Sequence, residues 1–204
     1  AGEIFYRTTR DEWTSFHLSD RDKRENVDPQ PEFTKEGGGF LVEIPWGTKS
    51  GFLLSAQTLT SSIPLRYLDG TRNQRRRLDN YFLKYSRDLP EGRYHDISTL
   101  YTPYTGQYFI PDARGSDFKI SGGGFLLSTT YGIPTETGNL EVKAAIRQST
   151  NSRTAPQHWR GWFASDSRDW GRSIDSPYSY EGGFGSIDKA QNSIELKADI
   201  AGRV

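Results

Sequence analysis

The sequence predicts an all-β fold, and three observations support this prediction. Glycine contributes 21 of the 204 residues, aromatic residues make up 13% of the chain, and hydrophobic residues make up only 33%. This composition suits short strands and tight turns better than long helices. Most apolar segments alternate with a period of two, and one segment occurs twice. We therefore expect a jelly roll or β-sandwich with an internal duplication.

The repeated segment reads FTKEGGGFLVEIPWG at residues 33–47 and FKISGGGFLLSTTYG at residues 118–132, an offset of 85 residues. Clustered glycines also bind phosphate in nucleotide-binding loops, but such loops precede a helix and carry a lysine. Here strand-forming residues follow the glycines, so we predict a structural role for both sets. The residues concerned are Gly37, Gly38, Gly39 and Phe40, and Gly122, Gly123, Gly124 and Phe125.

The two copies predict two β units, residues 1–95 and 96–204, that pack together because each is small on its own. The period-two segments that predict strands are residues 40–46, 51–59, 107–111, 125–132, 140–146 and 193–200. Most of these segments have one apolar and one polar face, which is typical of strands in an antiparallel sheet.

Residues 72–88 show a different spacing. Leu78, Tyr81, Phe82 and Tyr85 recur at steps of three and four residues, while the basic residues lie mostly on the opposite side of such a helix, Arg75, Arg76, Arg77, Lys84 and Arg87. This spacing predicts one amphipathic helix inserted in the first β unit. The arginine run at its start also suggests nucleic-acid binding, but Lys plus Arg equal Asp plus Glu at 26 each, so nucleic acid is an unlikely partner.

The segment LYTPYTGQYFIPDARGSDFKI at residues 100–120 resembles a strand pair of the complement globular-head and tumour necrosis factor jelly-roll family. The matching residues are Tyr104, Thr105, Gly106, Tyr108, Pro111, Gly115 and Phe118. The resemblance covers about a tenth of the chain. It implies a ten-stranded jelly roll in the second unit, trimers, secretion, and a binding or scaffold role without catalysis.

No arrangement of catalytic residues is visible in the sequence. The chain has no cysteine, and its three histidines, at 17, 95 and 158, do not have zinc-site spacing. A serine nucleophile in a G-x-S-x-G motif is also absent. We therefore expect a protein that is not an enzyme and needs no cofactor, with Asp112 and Asp117 as candidate calcium ligands because calcium prefers oxygen ligands on loops.

The tryptophan-rich segment 158–172 is the strongest candidate binding site. Flat aromatic rings beside charged groups suit a sugar ring or a protein partner, although large aromatic residues also pack into cores. The candidate residues are Trp159, Arg160, Trp162, Asp166, Asp169 and Trp170.

These observations favour a secreted, extracellular structural protein. No apolar run approaches the roughly 20 residues of a membrane helix, so we expect no membrane insertion. The lack of methionine suggests that a leader has been removed. The leading hypothesis is a scaffold that self-assembles as a trimer or larger homo-oligomer. A carbohydrate-binding lectin that uses segment 158–172 is the alternative, and a viral jelly-roll coat protein is the second alternative.

Overall fold

A computed structural model describes residues 1–8, 33–67, 70–109, 116–136, 138–155, 158–160, 180–182 and 187–202. These residues form ten β-strands and no α-helix, which confirms the predicted all-β class. No helix in this described part has the length and hydrophobicity that a membrane span needs. The strands are β1 Gly2–Thr8, β2 Thr34–Pro45, β3 Ser50–Tyr67, β4 Gly70–Asp88, β5 Tyr94–Tyr108, β6 Phe118–Thr135, β7 Gly138–Thr154, β8 His158–Arg160, β9 Tyr180–Gly182 and β10 Ile187–Gly202.

Eight of these strands form a single antiparallel sheet in the order β1-β2-β3-β4-β5-β6-β7-β10. Strands β8 and β9 pair separately. The sheet is a meander, because neighbouring strands are also consecutive among these eight. A jelly roll or sandwich would instead divide such strands between two facing sheets. Long strands joined by short turns return directly beside their predecessors, which gives the meander.

The predicted helix over residues 72–88 is wrong, because β4 occupies Gly70–Asp88 and pairs with β3 along its whole length. Tyr81 and Tyr85 lie on one face of this strand, and Leu78 and Phe82 lie on the other. Two interleaved patterns of period two, one on each face, therefore produced the steps of three and four that suggested a helix.

The connections differ between the two edges of the large sheet. At one edge, short connections of two to five residues join β2 to β3, β4 to β5 and β6 to β7. At the opposite edge, the connections are residues 9–33, 68–69, 109–117 and 155–186, and β3 and β4 run farther than their neighbours before residues 68–69 join them. These two borders are the two ends of the strands and not the outer strands β1 and β10. We call them the short-turn edge and the long-connection edge.

Two of the short turns contain residues with positive φ. The first is closed by a hydrogen bond from the Trp46 amide to the Ser50 carbonyl, 2.8 Å, and contains Gly47 with φ of 74°. The second contains the 3₁₀ turn Pro90–Gly92, where Gly92 has φ of 72°. Glycine adopts this left-handed conformation without steric cost.

The sheet buries little of its own apolar surface. Phe109, which is 4% exposed, is the one buried hydrophobic residue in the described ranges. The predicted units 1–95 and 96–204 stay a prediction, and the boundary between them falls inside β5, which pairs with both β4 and β6.

Candidate functional site

The register of the large sheet defines two faces, because directly paired residues place their side chains on the same side. One row of direct neighbours runs from β2 to β6 and contains Phe40, Ala56, Tyr81, Tyr101 and Phe125. We call the face that carries this row the apolar face, and the opposite face the polar face.

Exposed hydrophobic side chains concentrate on the apolar face. From the row of Phe40 toward the short-turn edge, each of the strands β2 to β7 contributes apolar side chains to a continuous apolar band. The exposed large hydrophobic residues of this face are Ile4, Tyr6, Phe40, Ile44, Leu54, Tyr81, Leu83, Ile97, Tyr101, Phe125, Leu127, Val142, Ile146 and Ile194. The exceptions are Leu41, Leu78 and Ile187 on the polar face and Trp46 in a turn.

Aromatic side chains border the apolar band on both sides. The upper aromatic row, nearer the long-connection edge, contains Phe40, Tyr81, Tyr101 and Phe125, and the Tyr81 and Tyr101 rings stack at 6.2 Å. The lower aromatic row, near the short-turn edge, contains Trp46, Phe52, Tyr85 and Tyr131. In this row the Phe52 ring lies 5.8 Å from Trp46 and 5.0 Å from Tyr85.

The band extends over a length that is comparable with a bilayer. On β6 it runs from Phe125 to Ile133, which corresponds to about 27 Å along a strand that rises about 3.4 Å per residue. In a sheet tilted by roughly 40°, as membrane-spanning strands are, this length would project to about 21 Å.

Beyond the upper aromatic row, the same face becomes polar. We call this part the polar margin. One row of direct neighbours there contains Glu36, Thr60, Arg77, Thr105 and Ser121, and a second contains Thr34, Ser62, Arg75, Gln107, Lys119 and Thr154. All of these residues line a hollow of about 610 Å³.

Asp79 lies on β4 between Arg77 of the polar margin and Tyr81 of the upper aromatic row. Its carboxylate accepts hydrogen bonds from the Thr58 hydroxyl at 2.6 Å and from Arg77 Nε at 3.0 Å, and the residue is 9% exposed. The hydrogen bond from Thr58, followed by the bond and charge of Arg77, holds the pKa of Asp79 below its usual value against the opposing effect of burial. The carboxylate therefore stays charged and orients Arg77.

The polar face carries paired charges and hydroxyl groups. Lys84 forms an ion pair with Asp96 at 2.8 Å, and the hydroxyl groups of Ser98 and Ser128 lie 2.7 Å apart. Two hollows of about 350 and 410 Å³ lie along this face, and Arg147 lines both of them. These groups suit contact with water.

The structure gives a steric reason for some of the repeated glycines. A Cβ atom at Gly37 would lie 2.9 Å from the Thr58 carbonyl oxygen, and one at Gly123 would lie 2.7 Å from the Thr102 carbonyl oxygen. Both distances are shorter than real Cβ contacts. The glycines therefore allow close approach of neighbouring strands.

Most of the other predicted site residues lie outside the described residues. This holds for Trp162, Asp166, Asp169 and Trp170 and for the calcium candidate Asp112. Trp159 and Arg160 lie in β8, which pairs with β9, and only their backbone is described. The lectin site therefore stays a prediction.

Asp117, the second calcium candidate, accepts a hydrogen bond from Arg72 at 2.6 Å. In the described ranges, no group of three or more His, Asp or Glu residues is arranged to hold a metal ion. Calcium binding stays a prediction.

Sequence reasoning missed the apolar face, because it assigned Tyr81, Leu83 and Tyr85 to a helix. Apolar residues on both faces of this segment, with Phe82 between Tyr81 and Leu83, hide the period of two that would have placed them on a strand.

No protein-family model and no curated protein matches the chain. One solved structure with a similar fold is the crystal structure of the outer membrane transporter YddB from Escherichia coli. The TM-score is 0.72 at 16% sequence identity, and the match covers 97% of this chain and 27% of the transporter. The chain thus spans about a quarter of the length of that protein, and at this identity the likeness concerns the fold alone.

Proposed function

We propose that the chain forms part of the wall of an outer-membrane transporter, with its apolar face against lipid and its polar face toward water. The observation that carries this proposal is the apolar band, which crosses successive strands on one face and has no second layer of described residues against it. The similarity of fold to an outer membrane transporter supports it.

The exposed band has a physical explanation in lipid. Monomeric soluble proteins rarely expose a contiguous apolar patch larger than a few hundred Å². In a bilayer, the same side chains contact acyl chains, and the hydrogen bonds between strands satisfy the backbone groups. Contact with lipid therefore explains why the described part of this eight-stranded sheet contains only one buried hydrophobic residue.

The borders of the band agree with this orientation. Membrane-spanning strands carry an apolar band about 25 Å tall with aromatic residues at both interfaces. The upper and lower aromatic rows occupy these positions here. Short turns on one side and longer connections on the other are also typical of such sheets.

The two outer strands indicate what completes the wall. Within the described sheet, β1 pairs only with β2, and β10 pairs only with β7. Unpaired backbone groups are costly in lipid, so both edges need further strands. We propose that other parts of the same protein supply them, because the matching transporter is almost four times as long as the aligned region.

This proposal keeps the expected non-enzymatic, structural role and replaces the expected soluble, secreted location. Self-assembly remains the second candidate, because among the described strands the 16-residue β10 pairs only with β7, and another copy could pair with its other side. Native mass spectrometry of the detergent-extracted protein distinguishes the two, since a monomer supports the wall and an edge-paired oligomer supports self-assembly.

Single-cysteine labelling tests the orientation directly, because the chain itself contributes no cysteine that would react with the label. Leu127→Cys and Ser128→Cys place a bimane label at adjacent positions on opposite faces of β6. In the protein that carries the chain, reconstituted in vesicles, we expect brominated lipid to quench the label at 127 several-fold more than the label at 128. Iodide in water should quench them in the opposite order.

The pair Val42→Cys and Glu43→Cys is the matched control, because these residues lie 85 positions earlier on β2. The same order of quenching is expected there. Equal quenching within both pairs would contradict the proposed wall.

A further inference from the structure

We propose that the polar margin binds the phosphate headgroup of an anionic lipid, whose acyl chains lie against the apolar band below it. This inference rests on the proposed membrane orientation and goes beyond it, because it assigns a ligand to Arg75, Arg77 and Lys119.

The three cations converge on one hollow. Arg75 and Lys119 are both direct partners of Gln107, on β4 and β6. Their backbones are therefore separated by two strand spacings, about 10 Å. Arg77 lies two residues from Arg75 on the same face, and all three line the hollow of about 610 Å³. Long cationic side chains can span such distances to reach one phosphate.

The cations are available to an external anion. Arg75 and Lys119 are exposed, and neither forms an ion pair with a described residue. Arg77 uses its Nε atom to contact Asp79, and its side chain is 59% exposed. Among the described residues that line the hollow, Glu36 is the one carboxylate, and Asp79 lies beside Arg77. The cations Arg75, Arg76, Arg77 and Lys119 line the same hollow, so positive charge predominates there.

The position of the hollow favours a lipid over a free anion. The hollow is on the apolar face, and Arg77 lies four residues beyond Tyr81 on β4. This separation is about 13 Å along the strand, or about 10 Å along the membrane normal at a tilt of roughly 40°. The interfacial layer extends about 5–8 Å beyond the hydrocarbon, and the long side chain of Arg77 can cover the remaining distance. Arg75 and Lys119 lie one row farther from the apolar band and approach the same headgroup from the water side.

Hydroxyl groups supply further donors around the cations. Thr60, Ser62, Thr105 and Ser121 line the same hollow. Phosphate oxygens accept hydrogen bonds from hydroxyl and guanidinium groups together, and arginine can bind phosphate through two parallel hydrogen bonds. The hollow therefore offers both charge and hydrogen bonds to a phosphate monoester.

Native mass spectrometry of the protein in detergent tests this proposal with phosphatidic acid as the probe. We expect the wild-type protein to retain phosphatidic acid at least tenfold more than phosphatidylcholine of the same chain length. The Arg75→Gln/Lys119→Gln variant should retain at least fivefold less phosphatidic acid than wild type. The charge-conserving variant Arg75→Lys/Lys119→Arg should recover most of the retention of phosphatidic acid. Such recovery would show that substitution at these two positions does not by itself disrupt the protein.

Arg147→Gln/Lys189→Gln is the matched control, because it removes two exposed positive charges from the polar face. Its retention of phosphatidic acid should equal that of wild type. An equal loss in both double variants would overturn the proposal, since net charge alone would then explain binding. Competition by inorganic phosphate at the concentration of the lipid would also overturn it in favour of a free-anion site.

The quenching experiment keeps this inference separate from the proposed function. Lipid quenching at position 127 together with undiminished phosphatidic acid in Arg75→Gln/Lys119→Gln would reject the headgroup site alone. Equal quenching at 127 and 128 would reject the membrane orientation itself.

Discussion

The two copies of the repeated segment lie at the same height of one sheet. Phe40 on β2 and Phe125 on β6 belong to the upper aromatic row, and the register connects them through direct pairs on β3, β4 and β5. Six residues after these phenylalanines, the chain reaches Trp46 in one copy and Tyr131 in the other, both in the lower aromatic row. The shared pattern therefore corresponds to one strand that crosses the apolar band. Its glycines lie beyond the upper aromatic row, and an aromatic residue lies at each border of the band.

The copies differ in how tightly their glycines are packed. A Cβ at Gly38 on β2 would lie 3.3 Å from the nearest atom, the carbonyl oxygen of Phe5. A Cβ at the equivalent Gly123 on β6 would lie 2.7 Å from the Thr102 carbonyl oxygen and 2.8 Å from Pro103 Cα. The two copies lie at the same position along the strands, which explains why their aromatic residues correspond. They have different neighbouring strands, and these determine at which positions a glycine is required.

A charge in the apolar band should have the largest effect, and it should be similar in both copies. Leu127→Arg and Val42→Arg should each lower the free energy of unfolding by about 2–3 kcal/mol, because an arginine on the lipid-facing side must leave water. Guanidinium titration of the protein in vesicles measures this change.

The controls are the adjacent positions on the polar face. Glu43→Arg should change the free energy of unfolding by less than about 0.5 kcal/mol. Ser128→Arg should lower it by about 1 kcal/mol at most, because it also removes the hydrogen bond with Ser98. A cost at 128 as large as that at 127 would show that the two faces do not differ as proposed.

The middle glycines should distinguish the two copies. Gly123→Ala should lower the free energy of unfolding by about 1–2 kcal/mol, because its Cβ would press on the backbone of β5. Gly38→Ala should lower it by less than Gly123→Ala does, because the Phe5 carbonyl oxygen, 3.3 Å from the added Cβ, needs to move by only a few tenths of an ångström. The same titration measures both, and equal costs would remove the packing difference between β2 and β6.

The sequence predicted the strand class but not the arrangement of the strands. Alternation along residues 125–132 and 140–146 was sufficient to place β6 and β7. It failed on β4, where Phe82 on the polar face lies between Tyr81 and Leu83 on the apolar face. Apolar residues on both faces hide the period of two, and only pairing with β3 and β5 makes the strand evident.

The apolar face was equally difficult to predict from sequence. A strand with one apolar face looks the same whether that face meets a second layer or lipid. Local alternation therefore favoured a soluble sandwich, and the aromatic borders become visible only when Phe40, Tyr81 and Phe125 are aligned across strands. The cations of the polar margin are likewise separated in sequence by more than 40 residues, from Arg75 to Lys119, and only the register brings them together.

The lower aromatic row allows a finer comparison of the copies. Trp46 contacts Phe52 edge-on at 5.8 Å, and the equivalent Tyr131 contacts His95 edge-on at 6.0 Å. Aromatic pairs of this geometry contribute about 0.5–1.5 kcal/mol beyond their buried area. A double-mutant cycle with Trp46→Leu and Phe52→Leu should give a coupling free energy in this range, and a coupling near zero would show that the row does not act as a unit.

The smallest expected effect concerns Asp79, which lies in the row that connects Gly38 to Gly123. Because the hydrogen bond from Thr58 lowers the pKa of this carboxyl in the folded protein, ionised Asp79 stabilises the fold at pH values above the usual aspartate pKa of about 3.9. This stabilisation is lost as the pH falls through the lowered pKa. Wild type should therefore be more stable than Asp79→Asn at pH 7, and the difference should shrink below about pH 4. A difference that stays constant from pH 7 to pH 2 would show that the charge of Asp79 does not stabilise the fold.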